Sequence, residues 1–178
     1  MTLPDQLTVA RALAVPVVIV LFAWDFPDHA YWATGVFVVA MATDQIDGWL
    51  ARRWNQTSQL GSLLDPIADK LLVMAALVML VGEDVAPAWM VAAIVARELL
   101  VSGLRLAALE RRVVMGARDL GKLKAWMQSV AVAVGGLAAA GAWSDDTAWW
   151  TLLAAVVLTW ISGLDYARVA PRLLRGSA

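Results

Sequence analysis

The sequence predicts an all-α integral membrane protein with six transmembrane helices and both termini in the cytoplasm. Three observations carry that expectation. The 178-residue chain is 61% hydrophobic and only 16% charged, with a mean hydropathy of +0.70, whereas soluble domains run about 45–50% apolar and about 25% charged. Six apolar stretches, 7–24, 31–51, 60–81, 86–109, 120–143 and 148–168, alternate with short polar breaks. Each can cross ~30 Å of hydrocarbon at about 1.5 Å per residue. The charges then orient them. The connections 25–30, 82–87 and 144–147 hold Asp25, Asp28, Glu83, Asp84, Asp145 and Asp146 but no Lys or Arg. Arg52, Arg53, Arg111, Arg112, Arg118, Lys122, Arg172 and Arg175 gather on the other side, where the positive-inside tendency puts cytoplasm.

The elements follow in order. Thr2 and Asp5 flank Leu3-Pro4 and suit a helix start, and Pro16 is expected to kink the first helix or mark its entry into the membrane. Ala, Leu and Val dominate throughout and hairpin turn signals are absent, which favours helices over a β-barrel. In the fifth stretch Gly135 and Gly136, with Gly141 and many alanines, suit close helix packing. Trp24, Trp32, Trp89, Trp143, Trp149 and Trp150 fall at the outer ends, as an interfacial belt does. No internal repeat or linker appears, so residues 1–178 read as a single membrane domain. The first apolar run lacks the flanks of a cleavable signal peptide.

Composition also excludes function classes. A net charge of −1 gives no basic field for nucleic acid. The absence of cysteine removes disulfides, thiolate metal sites and thiol catalysis. His29 is the one histidine, expected as a solvated loop residue on the outer side, and cannot build a His-ligand cluster.

The chemistry concentrates in Asp44-Gln-Ile-Asp47-Gly48-Trp-Leu-Ala51-Arg52 and, eight residues on, Gly61-Ser-Leu-Leu-Asp65-Pro-Ile-Ala-Asp69. On helices, Asp44, Asp47, Gly48 and Ala51 form one stripe, and Gly61, Asp65 and Asp69 another. The connection 52–59 is short and polar, so the two helices should be antiparallel neighbours whose stripes face one another. Four carboxylates in a membrane repel and each costs about 2.5–3.5 kcal/mol at the bilayer centre, so they call for cations. Oxygen ligands without Cys or a suitable His favour Mg²⁺ or Mn²⁺, and four Asp can bridge two ions, an arrangement that serves displacement at phosphorus. Small residues at 48, 51 and 61 leave room for a phosphate ligand, or simply pack helices.

The pattern D-x2-D-G-x2-A-R-x8-G-x3-D-x3-D resembles the signature of the CDP-alcohol phosphatidyltransferases, with every fixed position occupied. That resemblance implies the CDP-alcohol phosphotransferase fold, a homodimer, and an active site open to the cytoplasm. It also implies that an alcohol displaces CMP from a CDP-lipid with divalent metal. By the same likeness Asp44, Asp47 and Asp65 hold metal, with Asp69 joining them or acting as base. Gly48, Ala51, Arg52 and Gly61 line the CDP-lipid site. Arg52 can offer a phosphate its fork of donors, or serve as a positive-inside anchor. Lys70 can balance the charge of Asp69.

The acceptor is read from the rest of the chain. Arg97 and Arg105 lie about two turns apart near one face of the fourth helix, and Lys122 and Lys124 lie near the cytoplasmic end of the fifth. Cations beside an acidic metal site suggest an anionic acceptor, and sn-glycerol 3-phosphate fits. Ala96-Arg97-Glu98 with Gly103-Leu-Arg105-Leu, followed by Gly121-Lys122-Leu-Lys124, is similar to the bacterial members of the family that make phosphatidylglycerophosphate and CMP from CDP-diacylglycerol. Asp5, where members often carry Asn, and Ala125, where Thr often follows the Lys, depart from that pattern. Arg97 and Glu98 can also form an intramembrane ion pair that aligns helices. Two other readings stay open: a family member that uses inositol phosphate or phosphatidylglycerol as acceptor, and an ion or proton transporter. The expected location is the cell (cytoplasmic) membrane, with membrane lipid as surroundings and no nucleic acid partner.

Overall fold

A computed structural model describes residues 3–54, 59–110 and 119–175, with side chains over 9–43, 67–108 and 120–164. The described residues form six helices and no strand: α1 (Leu3–Ala23), α2 (His29–Trp54), α3 (Gln59–Gly82), α4 (Ala88–Glu110), α5 (Asp119–Ala139) and α6 (Asp145–Arg175). These coincide in number and order with the six apolar stretches. Pro16 lies inside α1, as expected, the imino ring removing one donor without ending the helix. One detail differs from expectation. Helix α6 runs past the apolar stretch to Arg175, because its polar C-terminal turns still favour helix.

Among the described residues one helical segment, Asp145–Leu164, is long and apolar enough to cross a membrane by length and composition, and Val9–Ala23 is a shorter apolar helix. Within its described part α4 carries Arg97, Glu98 and Arg105, which interrupt its apolar run.

Helix α1 packs against both α2 and α3, α5 against α6 and α2, and α4 against α6. Among the described residues α2 and α3 touch least of all the packed pairs, since α1 lies against both. The helix ends that carry the expected facing stripes lie outside the described side chains.

The apolar core fills the middle of the bundle and the half toward the acidic connections, the end expected to face outward. Phe37, Leu72, Leu77, Leu80, Met90, Ile94 and Leu152 are fully buried there. Small residues let the helices close. A Cβ on Gly135 would come within 2.7 Å of Leu80 Cδ1, and one on Gly136 would collide with the Thr34 hydroxyl, so α5 meets α3 and α2 at distances only glycine permits. Large apolar side chains also cover the outside, among them Val20, Leu71, Val78, Leu99, Val157 and Ile161. Of the six outer tryptophans all but Trp149 are exposed, and Trp149 stands edge-on to Trp150 at 4.8 Å.

The outer end is closed by backbone devices. Asp84 and Gly141 adopt the left-handed conformation, with φ of 59° and 71°. Each ends a helix in the same way. Val85 N–H donates to Leu80 O (3.2 Å) and Asp84 N–H to Val81 O (3.2 Å), while Ala142 N–H donates to Leu137 O (2.9 Å) and Gly141 N–H to Ala138 O (2.8 Å). These paired bonds satisfy the orphan carbonyls of the last turn. Ser144 starts α6, its Oγ accepting from Thr147 N–H at 3.4 Å.

Candidate active site

At the opposite end from these turns, α3, α4 and α5 line a cavity of about 250 Å³ into which several charged side chains reach. Asp69 and Lys70 reach it from α3, Arg97, Glu98 and Arg105 from α4, and Lys122, Lys124 and Gln128 from α5. Helical spacing explains the convergence. Positions 97, 101 and 105 share one face of α4, and 124 and 128 share one face of α5. The walls between them are apolar, with Val73, Ile94 and Val101 on the lining.

Glu98 is the hub of the cavity wall and is 4% exposed. Its Oε1 accepts from Arg97 Nη1 at 2.8 Å, from Lys124 Nζ, and from Gln128 Nε2 at 3.4 Å. Two of these donors continue to α6. Arg97 Nη2 donates to Ser162 Oγ at 2.9 Å, and Gln128 Nε2 donates to Thr159 Oγ1 at 2.7 Å. Gly163 lies beneath Arg97, so that a Cβ there would stand 3.1 Å from Nε and 3.2 Å from Cγ. On the other wall Lys70 Nζ donates to Ser102 Oγ at 2.6 Å. Every buried charge in this seam has an opposite charge or a hydroxyl beside it, as a low-dielectric site requires.

The sequence-predicted residues divide in two. Asp69, Arg97, Arg105, Lys122 and Lys124, far apart in the chain, line the one cavity. Asp44, Asp47, Gly48, Ala51 and Arg52 fall on α2, and Gly61 and Asp65 on α3; their side chains lie outside the described residues. The cavity holds five cations (Lys70, Arg97, Arg105, Lys122, Lys124) against two carboxylates (Asp69, Glu98), a surplus of three positive charges among the described residues. It is therefore suited to a phosphate-bearing anion next to a carboxylate. The donor set on α2 and α3, four carboxylates and no sulfur or imidazole, fits a hard divalent cation.

Sequence reading missed Gln128, Thr159, Ser162 and Gly163. Their signal was available. Thr159 and Ser162 are an i,i+3 polar pair in an apolar stretch, and Gln128 follows Lys124 by one turn. The Arg97–Glu98 ion pair weighed as an alternative is present at 2.8 Å, and Glu98 engages Lys124 as well. His29 differs from expectation. It is partly buried, with Nδ1 3.1 Å from Phe26 O and Nε2 3.1 Å from Glu83 Oε1. Burial works against its charge, but the hydrogen bonds to Glu83 and Phe26 and the nearby Asp25 raise the imidazole pKa above its ordinary value.

Comparison with known proteins supplies an independent view. The family model described as CDP-alcohol phosphatidyltransferase matches residues 1–161. A protein of Bacillus subtilis (strain 168) called CDP-diacylglycerol–glycerol-3-phosphate 3-phosphatidyltransferase is 41% identical over 142 residues, covering 73% of this chain and 74% of its own length. Proteins of the same name from Rickettsia bellii (strain RML369-C) and Escherichia coli (strain K12) are 35% and 39% identical. The first covers 96% of both chains and the second 74% of both.

Proposed function

The chain belongs to the CDP-alcohol phosphatidyltransferase family, and on that premise we propose that it transfers the phosphatidyl group of CDP-diacylglycerol to sn-glycerol 3-phosphate, giving phosphatidylglycerophosphate and CMP. The observation that carries this reading is the single cavity in which Asp69 meets Arg97, Arg105, Lys122 and Lys124. A carboxylate beside a cationic pocket is what an acceptor with a hydroxyl and a phosphate requires. The names of the Bacillus, Rickettsia and Escherichia relatives support the same choice.

The residues divide the work. The cations bind the acceptor phosphate, which aims its free hydroxyl toward Asp69. Asp69 takes the hydroxyl proton as the oxygen attacks the phosphatidyl phosphorus, a general-base role worth about 10²–10⁴ in rate. A new P–O bond forms to glycerol phosphate, the pyrophosphate P–O bond breaks, and CMP leaves with its electron pair. Asp44, Asp47 and Asp65 would hold Mg²⁺ or Mn²⁺, two ions in this reading, with Asp69 beside them as the base. When bound, such ions neutralise the pyrophosphate and the departing CMP. Gly48, Ala51, Arg52 and Gly61 would line the CDP-lipid site, where small side chains leave space for the nucleotide diphosphate.

The same reading makes residues 1–178 one multi-pass domain of the cytoplasmic membrane, working as a homodimer with its active site and both termini facing the cytoplasm. The apolar residues on the outside of the bundle and the absence of Lys and Arg from the connections 25–30, 82–87 and 144–147 support that orientation. The test is CMP release from CDP-diacylglycerol in detergent, with Mg²⁺ or Mn²⁺ and a panel of acceptors. Turnover with glycerol 3-phosphate is expected. Turnover only with inositol phosphate or phosphatidylglycerol would reassign the acceptor, and no CMP with any alcohol would reject the enzyme and leave the transporter reading.

A further inference from the structure

Within the cavity the cations are not equivalent. Arg97 and Lys124 both contact the same Glu98 oxygen, whereas Lys70 is held by Ser102. We infer that Glu98 is a positioning residue that sets acceptor affinity: it holds Arg97 and Lys124 as a fixed pair of donors for the acceptor phosphate. The inference rests on the proposed glycerol 3-phosphate reading and adds to it the residue through which that phosphate is recognised.

Three features argue for it. Two buried cations on different helices repel, and a carboxylate between them is the most direct way to keep both charged and close. Glu98 is poorly suited to touch the substrate itself, since a carboxylate repels a phosphate and this one already accepts from three donors on one oxygen. The hub is also braced from behind. Gln128 spans Glu98 and Thr159, and Ser162 with Gly163 fixes the far side of the Arg97 guanidinium. Such bracing on helices lowers the cost of ordering long side chains when an anion binds.

The experiment measures both Michaelis constants in the detergent-solubilised full chain, with CMP release as readout. Glu98→Gln keeps the shape and removes the charge. It should raise KM for glycerol 3-phosphate about tenfold while KM for CDP-diacylglycerol stays within about twofold. Glu98→Asp, which keeps the charge, should recover about half of that loss on a logarithmic scale. Equal changes in the two constants, or a loss confined to kcat and thermal stability, would overturn the inference and leave Glu98 a purely structural tie. If Glu98→Gln does not fold, Thr159→Val decides. It removes one brace isosterically and should raise the acceptor KM about twofold to threefold, and an unchanged acceptor KM in that variant rejects the role. Turnover of glycerol 3-phosphate by the unaltered chain separates the two levels. Its absence removes the proposed function together with this inference, whereas its presence with unaltered constants in the variants removes the inference alone.

Discussion

The two ends of the bundle are built on different principles. The outer end is closed by the backbone: paired turn bonds at Asp84 and Gly141, a Ser144 cap, and glycines that let α5 touch α2 and α3. Its polar groups are satisfied mostly by neighbours a few residues away. The cavity end is held by side chains reaching between helices, Arg97 and Gln128 to α6, Lys124 to α4 and Lys70 to Ser102. Local bonds survive small shifts of whole helices. Charges shared between helices do not, so the same displacement that the outer end tolerates would disorganise the cavity. Substitutions should therefore cost stability at one end and turnover at the other.

The sharpest break in that contrast is at Asp69. Asp69→Asn should lower turnover by about 10²–10⁴-fold, as loss of a general base does, while nucleotide binding by fluorescence or calorimetry is largely kept and Tm barely moves. Near-normal CMP release would remove the base. Arg105→Ala is the next largest. Loss of a charge-assisted bond to phosphate costs about 1.5–3 kcal/mol, or about 10–150-fold in KM for glycerol 3-phosphate, with a much smaller change for CDP-diacylglycerol. An equal loss for both substrates would contradict an acceptor role.

The outer end should respond in stability. Gly136→Ala forces a methyl into the Thr34 hydroxyl, an overpacking cost of about 1–3 kcal/mol. That lowers Tm by about 2–4 °C for each kcal/mol and leaves both KM values alone. Adding Thr34→Ala should restore most of the Tm; if it does not, the close approach is not the cause. The smallest effect belongs to His29, which lies just before the second expected span. Its pKa is raised in the folded chain, burial being outweighed by the Glu83 and Phe26 hydrogen bonds and by Asp25. The stabilisation is thus full in mild acid and is lost as pH rises through the raised value. Thermal unfolding between about pH 5.5 and 8.5 should show a slope of about 1–2 °C in the unaltered chain that His29→Gln abolishes. An unchanged slope would show that the His29–Glu83 contact contributes nothing.

Much of this arrangement was legible in the sequence. Six apolar stretches became six helices because period and length suffice for that, whereas Gly141, expected to help pack the fifth helix, instead takes the left-handed turn just past its end, with open space around it. Asp69, Arg97, Arg105, Lys122 and Lys124 could be named because charge in an apolar run is costly and so stands out. What could not be read was who pairs with whom. Glu98 is adjacent to Arg97 in sequence, but its contact with Lys124 is made by long side chains reaching between α4 and α5, both of which pack on α6, and no periodicity encodes that arrangement. Thr159, Ser162 and Gly163 were overlooked because hydroxyls and a glycine within an apolar stretch pass as ordinary helix filler.

Gly163 carries a consequence for how this molecule can vary. It supplies no charge and no hydrogen bond from a side chain, yet its missing methyl is the space over which the Arg97 guanidinium lies. Helix α6, which lends the cavity no charge of its own, therefore acts as a gauge block for it. A residue one carbon larger at that position would tilt a cation without touching any substrate, so substrate preference in chains of this kind can drift through a helix face that bears none of the chemistry.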